Sequence, residues 1–214
     1  KDNKALWNLP KTRRFGYRNL HKINRYGLFL RSDLILKLKK NYKKEIGVKP
    51  LVKRLTKNKS FCSLIVGNGQ NILFEKYAKD FSYNQPQTIM SITKMFANLF
   101  VGELLKNKKI NLNKNVSYYL PKIGSGYAKA KVQDILNMNV VNAYTEDYTK
   151  AYSSSFMHEP VGGWRLPKSG QIKLSQEQYL NTIKNIKNRD LKNNSEYALY
   201  KSANTDVIGL IIEK

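Results

Sequence analysis

Cysteine, histidine and acidic side chains are all scarce in this chain, and each scarcity closes a route. A single cysteine, Cys62, rules out an internal disulfide. It lies in an apolar run and reads as a core residue. The two histidines, His21 and His158, have no partner at ligand spacing and read as surface or loop residues, so no metal site is expected. No window approaches the roughly 20 apolar residues that a membrane span requires. The glycine pairs Gly162-Gly163 and Gly124-x-Gly126 lack the Lys-Ser/Thr that completes a phosphate loop, so they read as turns. The opening KDNKALWNLPKTRR has no apolar signal segment and no initiator Met, and the last residues, IGLIIEK, stop inside an apolar run. Both ends are expected to be truncated.

What is abundant is lysine. Thirty-nine basic residues face 15 acidic ones, for a net charge of +24. Such a charge is either a footprint for nucleic acid or an anionic surface, or a matter of composition. The second reading is preferred. Lys outnumbers Arg by 31 to 8, whereas a phosphate reader favours the bidentate fork of Arg. No specific nucleic-acid partner is expected. The 14 Tyr and 8 Phe bury large areas each and support a folded globular chain despite an apolar fraction of 41%.

Residues 1–35 mix basic and aromatic residues (Trp7, Phe15, Tyr17, Tyr26, Phe29) and read as an arm packed over a core. Residues 33–45 read as a short amphipathic helix capped by Ser32 or Asp33, which leaves open a weak association with an anionic membrane surface. Phe61–Val66, a turn over Gly67–Asn71, and Ile72–Tyr77 read as a β-hairpin with its first strand buried. Residues 91–107 carry apolar side chains nearly all round, as a buried helix does. Shorter helices are expected within 111–121 and over 131–139, with further ones over 175–190 and 203–214. Between them, 140–175 is a long aperiodic loop of the kind that carries function.

Ser91-Ile92-Thr93-Lys94 is the candidate chemistry. Residues i and i+3 share a helix face, so the amine reaches the hydroxyl. A serine hydroxyl attacks only when a base takes its proton. An amine serves as base only where burial disfavours its charged form, and the apolar run around Lys94 offers such a setting. With 14 Ser and 31 Lys, chance alone yields about two Ser-x-x-K matches. The chain holds one, so the weight rests on context. A hairpin precedes the motif, a buried helix continues it, and Tyr200-Lys201-Ser202-Ala203-Asn204-Thr205-Asp206 follows about a hundred residues later.

That order resembles the serine β-lactamase, penicillin-binding-protein and esterase superfamily. The nearest likeness is to its class C-like branch, which includes 6-aminohexanoate-dimer hydrolase and related esterases. VGNGQNILFEKYA resembles the strand pair before the nucleophile, and MSITKMFANLFVGELL the nucleophile helix. KVQDILNMNVVNAYTEDY resembles the segment leading into the long loop, and YKSANTDVIGLIIEK the second motif and its helix. The likeness covers about 60–214. It implies an α/β (α+β) fold of β-lactamase/transpeptidase type, an antiparallel sheet with a helical subdomain whose last strands lie beyond residue 214. The implied organisation is an N-terminal arm at 1–59 and an incomplete hydrolase domain at 60–214.

The resemblance also assigns roles. Ser91 would be the acylated nucleophile, Lys94 its general base and Tyr200 a second acid/base group. Ser202 would assist Tyr200 or the substrate, Asn204 would hold the motif on the substrate side, and Tyr148 would contact substrate. The Ser91 N–H would be half of an oxyanion hole. Ser202 stands where many class C-like members place Tyr, so Tyr200 and Ser202 remain alternatives for the second-motif role. The implied activity is bacterial hydrolysis of a small-molecule ester or amide, lactam or oligoamide included, without metal or organic cofactor. The bacterial envelope or periplasm is favoured over the cytoplasm. A third motif would lie past residue 214, so this stretch alone is expected to be inactive. The alternatives are a basic binding module and a catalytically inactive member of the same fold.

Overall fold

The structure, a computed structural model, describes residue 7 and residues 9–22, 32–150, 152–167, 169–170 and 172–214. It divides into two compact units, Lys1–Thr88 and Ile89–Lys214. Within the first unit, the segment before the hairpin is hydrogen-bonded to it.

In the first unit, helix α1 (Arg13–Arg18) is followed by strand β1 (Lys39–Lys40), helices α2 (Lys44–Val48) and α3 (Pro50–Thr56), and strands β2 (Ser63–Asn68) and β3 (Asn71–Tyr77). The hairpin forms as expected, with Ser63 opposite Tyr77 and Gly69 at φ +54 in the turn. The expected helix over 33–45 does not form. Lys39 N–H donates to Gln70 O, Asn41 N–H to Ile72 O and Lys43 N–H to Leu73 O, so β1 joins β3 in parallel. The sheet order is β1-β3-β2, mixed and not purely antiparallel. Leu34, Leu36 and Leu38 alternate, which is strand spacing; their exposure also removes the buried face that a helix there would need.

β2 is half-buried on one face and exposed on the other, so the expected burial of this strand fails. Cys62 is likewise half-buried, not in the core. Its sulfur lies 3.8 Å from Arg14 Nη1 and 3.9 Å from Arg18 Nη2. Arg14 grips both Asp80 oxygens, at 2.7 and 2.6 Å, and Arg18 adds a 2.9 Å contact. These guanidinium groups hold the Asp80 carboxyl well below the usual carboxylate range. Of the arm aromatics, Trp7 is buried near Tyr17, Phe15 is exposed, and Tyr26 and Phe29 lie outside the described residues.

The second unit opens with a 3-10 turn, Met90–Lys94. Then come α4 (Met95–Lys106), α5 (Val116–Tyr119), α6 (Ser125–Ala128), α7 (Val132–Leu136), α8 (Ser154–His158), α9 (Gln176–Asn181) and α10 (Ser202–Glu213). α10 is the spine of the unit. Ala203, Asn204, Val207, Ile208 and Ile211 recur on one face and are buried against α4, α7 and α9. Val101, Val116, Tyr127, Val132, Ile135 and Leu180 complete the centre of the core.

Two helix expectations need correction. α9 starts at a capping box, Ser175 with Gln178, but stops well before residue 190. The Ile183 and Lys184 carbonyls instead accept from Gly126 and Ala143 N–H, which takes them out of any helix ladder. α4 is not buried all round. Val101 faces the core, while Met95, Phe96, Leu99 and Phe100 are exposed. Among the described residues, no helix is long and apolar enough to cross a membrane.

Gly124 and Gly126 are more than turn residues. A Cβ on Gly124 would stand 2.4 Å from Ile183 O and 2.6 Å from Asn181 O, so only glycine lets this backbone approach. Gly124→Ala is expected to cost about 1–3 kcal/mol by overpacking. Ile208→Ala, at a site 1% exposed, should cost about 2–5 kcal/mol by leaving a cavity. Urea unfolding of the second unit's signal checks both.

Candidate active site

The turn that carries Ser91 is tighter than an α-helix. Thr93 Oγ1 donates to Met90 O at 2.6 Å, a local bond that holds the 3-10 geometry before α4 begins. Met90 itself has φ +48, a left-handed conformation unusual outside glycine. A 3-10 turn has three residues per turn, so residues i and i+3 eclipse one another. Ser91 and Lys94 are therefore stacked, and Lys94 Nζ lies 3.0 Å from Ser91 Oγ.

The other half comes from the residues leading into α10. Tyr200 Oη donates to Ser91 Oγ at 2.8 Å across 109 positions of sequence. Lys94 Nζ stands 5.2 Å from the Tyr200 ring centre. Burial pushes the Tyr200 phenol up, but hydrogen bonds to Lys94 and Ser91 outweigh it, so the phenol is held below its ordinary value.

Ser202 opens α10, and its N–H donates to Glu146 Oε2 at 2.8 Å. The Ser202 hydroxyl donates to Glu146 Oε1 at 2.8 Å, and Tyr148 Oη donates to the same oxygen at 2.5 Å. Tyr148 is half exposed; burial and the Glu146 bond push its phenol up to about 12. Lys201 runs the opposite way. It is 8% exposed, donates to Tyr144 O at 2.5 Å, and is lowered from its ordinary value by burial.

Ser91, Lys94, Tyr200, Ser202 and Tyr148 thus meet in one place. Asn204 does not join them. It is fully buried, accepts from Tyr127 Oη at 3.0 Å, and holds α10 from inside. The water-poor setting expected around Lys94 is not found: Ser91 is exposed and Lys94 half-buried, because neighbouring Ile92, Met95 and Phe96 are themselves exposed.

Sequence reasoning missed Glu146, Lys201 and a buried histidine. His158, expected without a partner, is 7% exposed and stacks on Tyr179 at 4.5 Å. Its Nδ1 lies 3.2 Å from Tyr144 Oη, and its Nε2 lies 3.3 Å from Asp206 Oδ2. Burial lowers His158 to about 4 and raises Asp206 to about 6. Gln176 Nε2 lies 3.3 Å from the same His158 Nε2, so both ring nitrogens have polar partners. One signal was available for Asp206, which falls one turn after Ser202 on the same helix face. Among the described residues, no group of three or more His, Cys, Asp or Glu is placed to hold a metal.

No family model matches the chain. The 6-aminohexanoate-dimer hydrolase of Paenarthrobacter ureafaciens is 30% identical over 153 residues, covering 71% of this chain and 37% of that protein. The chain thus spans little more than a third of that curated relative. A solved structure from Bacillus anthracis, named for the same hydrolase, matches 100% of this chain and 57% of its own with a TM-score of 0.78. At 16% identity that likeness shows the fold, mixed α/β with a small sheet and many helices.

The His158 ring is expected to stay neutral until the pH falls to about 4, while Asp206 takes up its proton near 6. An NMR titration should keep the His158 ring nitrogens at neutral-imidazole shifts from pH 7 to 5, with only a small perturbation near 6 as the adjoining Asp206 takes up its proton. A His158 midpoint near the ordinary 6.5 would contradict this arrangement.

Proposed function

We propose, from the premise that this chain belongs to the β-lactamase-like serine hydrolase superfamily, a hydrolase that cleaves a small-molecule amide or ester through an acyl group carried on Ser91. One observation carries the reading: Lys94 Nζ and Tyr200 Oη both bond Ser91 Oγ, at 3.0 and 2.8 Å. The named activity of the curated relative, hydrolysis of the 6-aminohexanoate dimer, supports an amide as the bond attacked.

In the resting arrangement both neighbours give a hydrogen to the Ser91 oxygen. Attack therefore requires one of them to lose its proton first. Tyr200 is the member held low, and cationic Lys94 beside it favours the phenolate. The phenolate accepts the Ser91 proton as Oγ bonds to the carbonyl carbon. The Ser91 N–H is the donor that this reading assigns to the developing oxyanion. On collapse, the proton passes through the Tyr200–Lys94 pair to the leaving atom, the C–N or C–O bond breaks, and the acyl group stays on Ser91. Water then repeats the sequence and releases the acid. The steps as written use neither metal nor cofactor.

Ser91→Ala in the full-length protein is expected to abolish labelling by a fluorophosphonate or penicillin probe while the far-UV circular dichroism is unchanged. Labelling that persists defeats the assignment. Tyr200→Phe should lower kcat by about 10²–10⁴. It should also erase a rise of kcat/KM with pH whose midpoint lies below the ordinary phenol value of about 10. A rising limb that survives the substitution assigns the titration to another group.

A further inference from the structure

The first unit carries a surface that the hydrolase chemistry does not use. From Ser32 to Ser60 every residue is exposed except Ile46, Gly47, Val52 and Thr56. The contacts of α2 and α3 with the sheet lie at these positions. A Cβ on Gly47 would stand 2.9 Å from the Phe74 ring of β3, and Lys76 of the same strand donates to Thr56 Oγ1 at 3.3 Å.

What is left outside is both apolar and basic. Leu34, Ile35, Leu36 and Leu38 are half to three-quarters exposed, and Val48, Leu51 and Leu55 are about half exposed or more. Single apolar residues on a surface are ordinary; seven in one short stretch are not. The same stretch, 32–59, holds ten Lys or Arg against two acidic residues, a surplus of eight positive charges. The alternation of Leu34, Leu36 and Leu38 with Lys37 and Lys39 is that of an extended chain with one aliphatic and one basic side. Lys40, which breaks the alternation, is tied to Glu75 at 3.0 Å.

Three kinds of partner could cover such a stretch, and they differ in what they satisfy. A second copy satisfies the leucines but not the charge. β1 is an edge strand of its sheet, and edge lysines repel the same edge of another copy. Nucleic acid satisfies the charge but not the leucines, because single strands are held by aromatic stacking. An anionic bilayer satisfies both. Its phosphates take the ammonium groups at headgroup level, and aliphatic side chains enter the acyl boundary beneath them.

We infer that residues 34–43 are a docking surface for an anionic lipid bilayer, with Leu34, Leu36 and Leu38 as the inserting side chains and Lys37, Lys39 and Lys43 as headgroup partners. The surface does not need the helix expected there, since an extended chain presents the two sides as well. It is also independent of the Ser91 reading.

The test mixes the full-length protein with sedimentable vesicles of phosphatidylglycerol and phosphatidylcholine, and with vesicles of phosphatidylcholine alone. The protein is expected to pellet with the first, to stay in solution with the second, and to be released in part as salt rises. Leu34→Asn with Leu36→Asn leaves the charge unchanged and should weaken partitioning about tenfold or more. Lys37→Gln with Lys39→Gln should weaken it about fivefold per lysine. Far-UV circular dichroism checks the fold of each variant, and Leu36→Asn alone decides if the leucine pair fails to fold. Anionic binding that the leucine change leaves intact overturns the proposal and reduces it to general attraction of a chain with a charge of +24. Equal binding to both vesicle types, or to neither, overturns it too. So does a dimer, or binding to a DNA duplex, that the leucine change abolishes, since the surface then belongs to that partner.

Discussion

The site depends on where helix α10 begins. A helix starts with N–H groups that have no partner inside it. Here the residue before the helix, Lys201, supplies no side-chain cap. The cap comes from a distant loop, where Glu146 takes the Ser202 N–H and hydroxyl. Lys201 reaches back to Tyr144 O in the same loop. Two ties running in opposite directions thus pin this loop to the first turn of α10. The buried face, from Ala203 to Ile211, and the Tyr127–Asn204 bond anchor the helix from below. Tyr200 is 44% exposed, yet its position is set by this buried frame, which is why an exposed phenol can be held on Ser91.

Burial is not what brings Ser91 and Lys94 together: among the described residues Ser91 is exposed and Lys94 half-buried. What the fold supplies is alignment. The 3-10 turn stacks Ser91 and Lys94, Met90 bends the chain just before them, and the start of α10 brings the phenol.

Local patterns were legible in the sequence, and pairings between distant segments were not. The hairpin was readable because Gly-Asn-Gly between apolar runs has few other outcomes. The α10 helix was readable from its apolar spacing, and Ser91, Lys94 and Tyr200 from the order of motifs. β1 was not, since its partner β3 lies some thirty residues onward and two residues of pairing leave no periodicity. Apolar spacing identified α4 as a helix but could not say what covers it. Glu146 meets Ser202 across 56 positions, and His158 meets Tyr144 through the packing of a loop on itself. No neighbouring residue in the sequence announces either contact.

The charges at the site are balanced although the chain carries +24. Lys94 and Lys201 are matched by Glu146 and Asp206, and the buried His158 stays neutral. Each of the four has a directional task or is set by burial: Lys94 and Glu146 orient hydroxyls, Lys201 holds carbonyls, and Asp206 faces the imidazole. A site built to draw in an ion would leave a surplus of one sign near the nucleophile. Here the local sum is close to zero, so the order of this cluster lies in hydrogen-bond direction more than in field: the Glu146 carboxylate takes the Ser202 and Tyr148 hydroxyl protons, and Ser91 Oγ receives those of Lys94 and Tyr200.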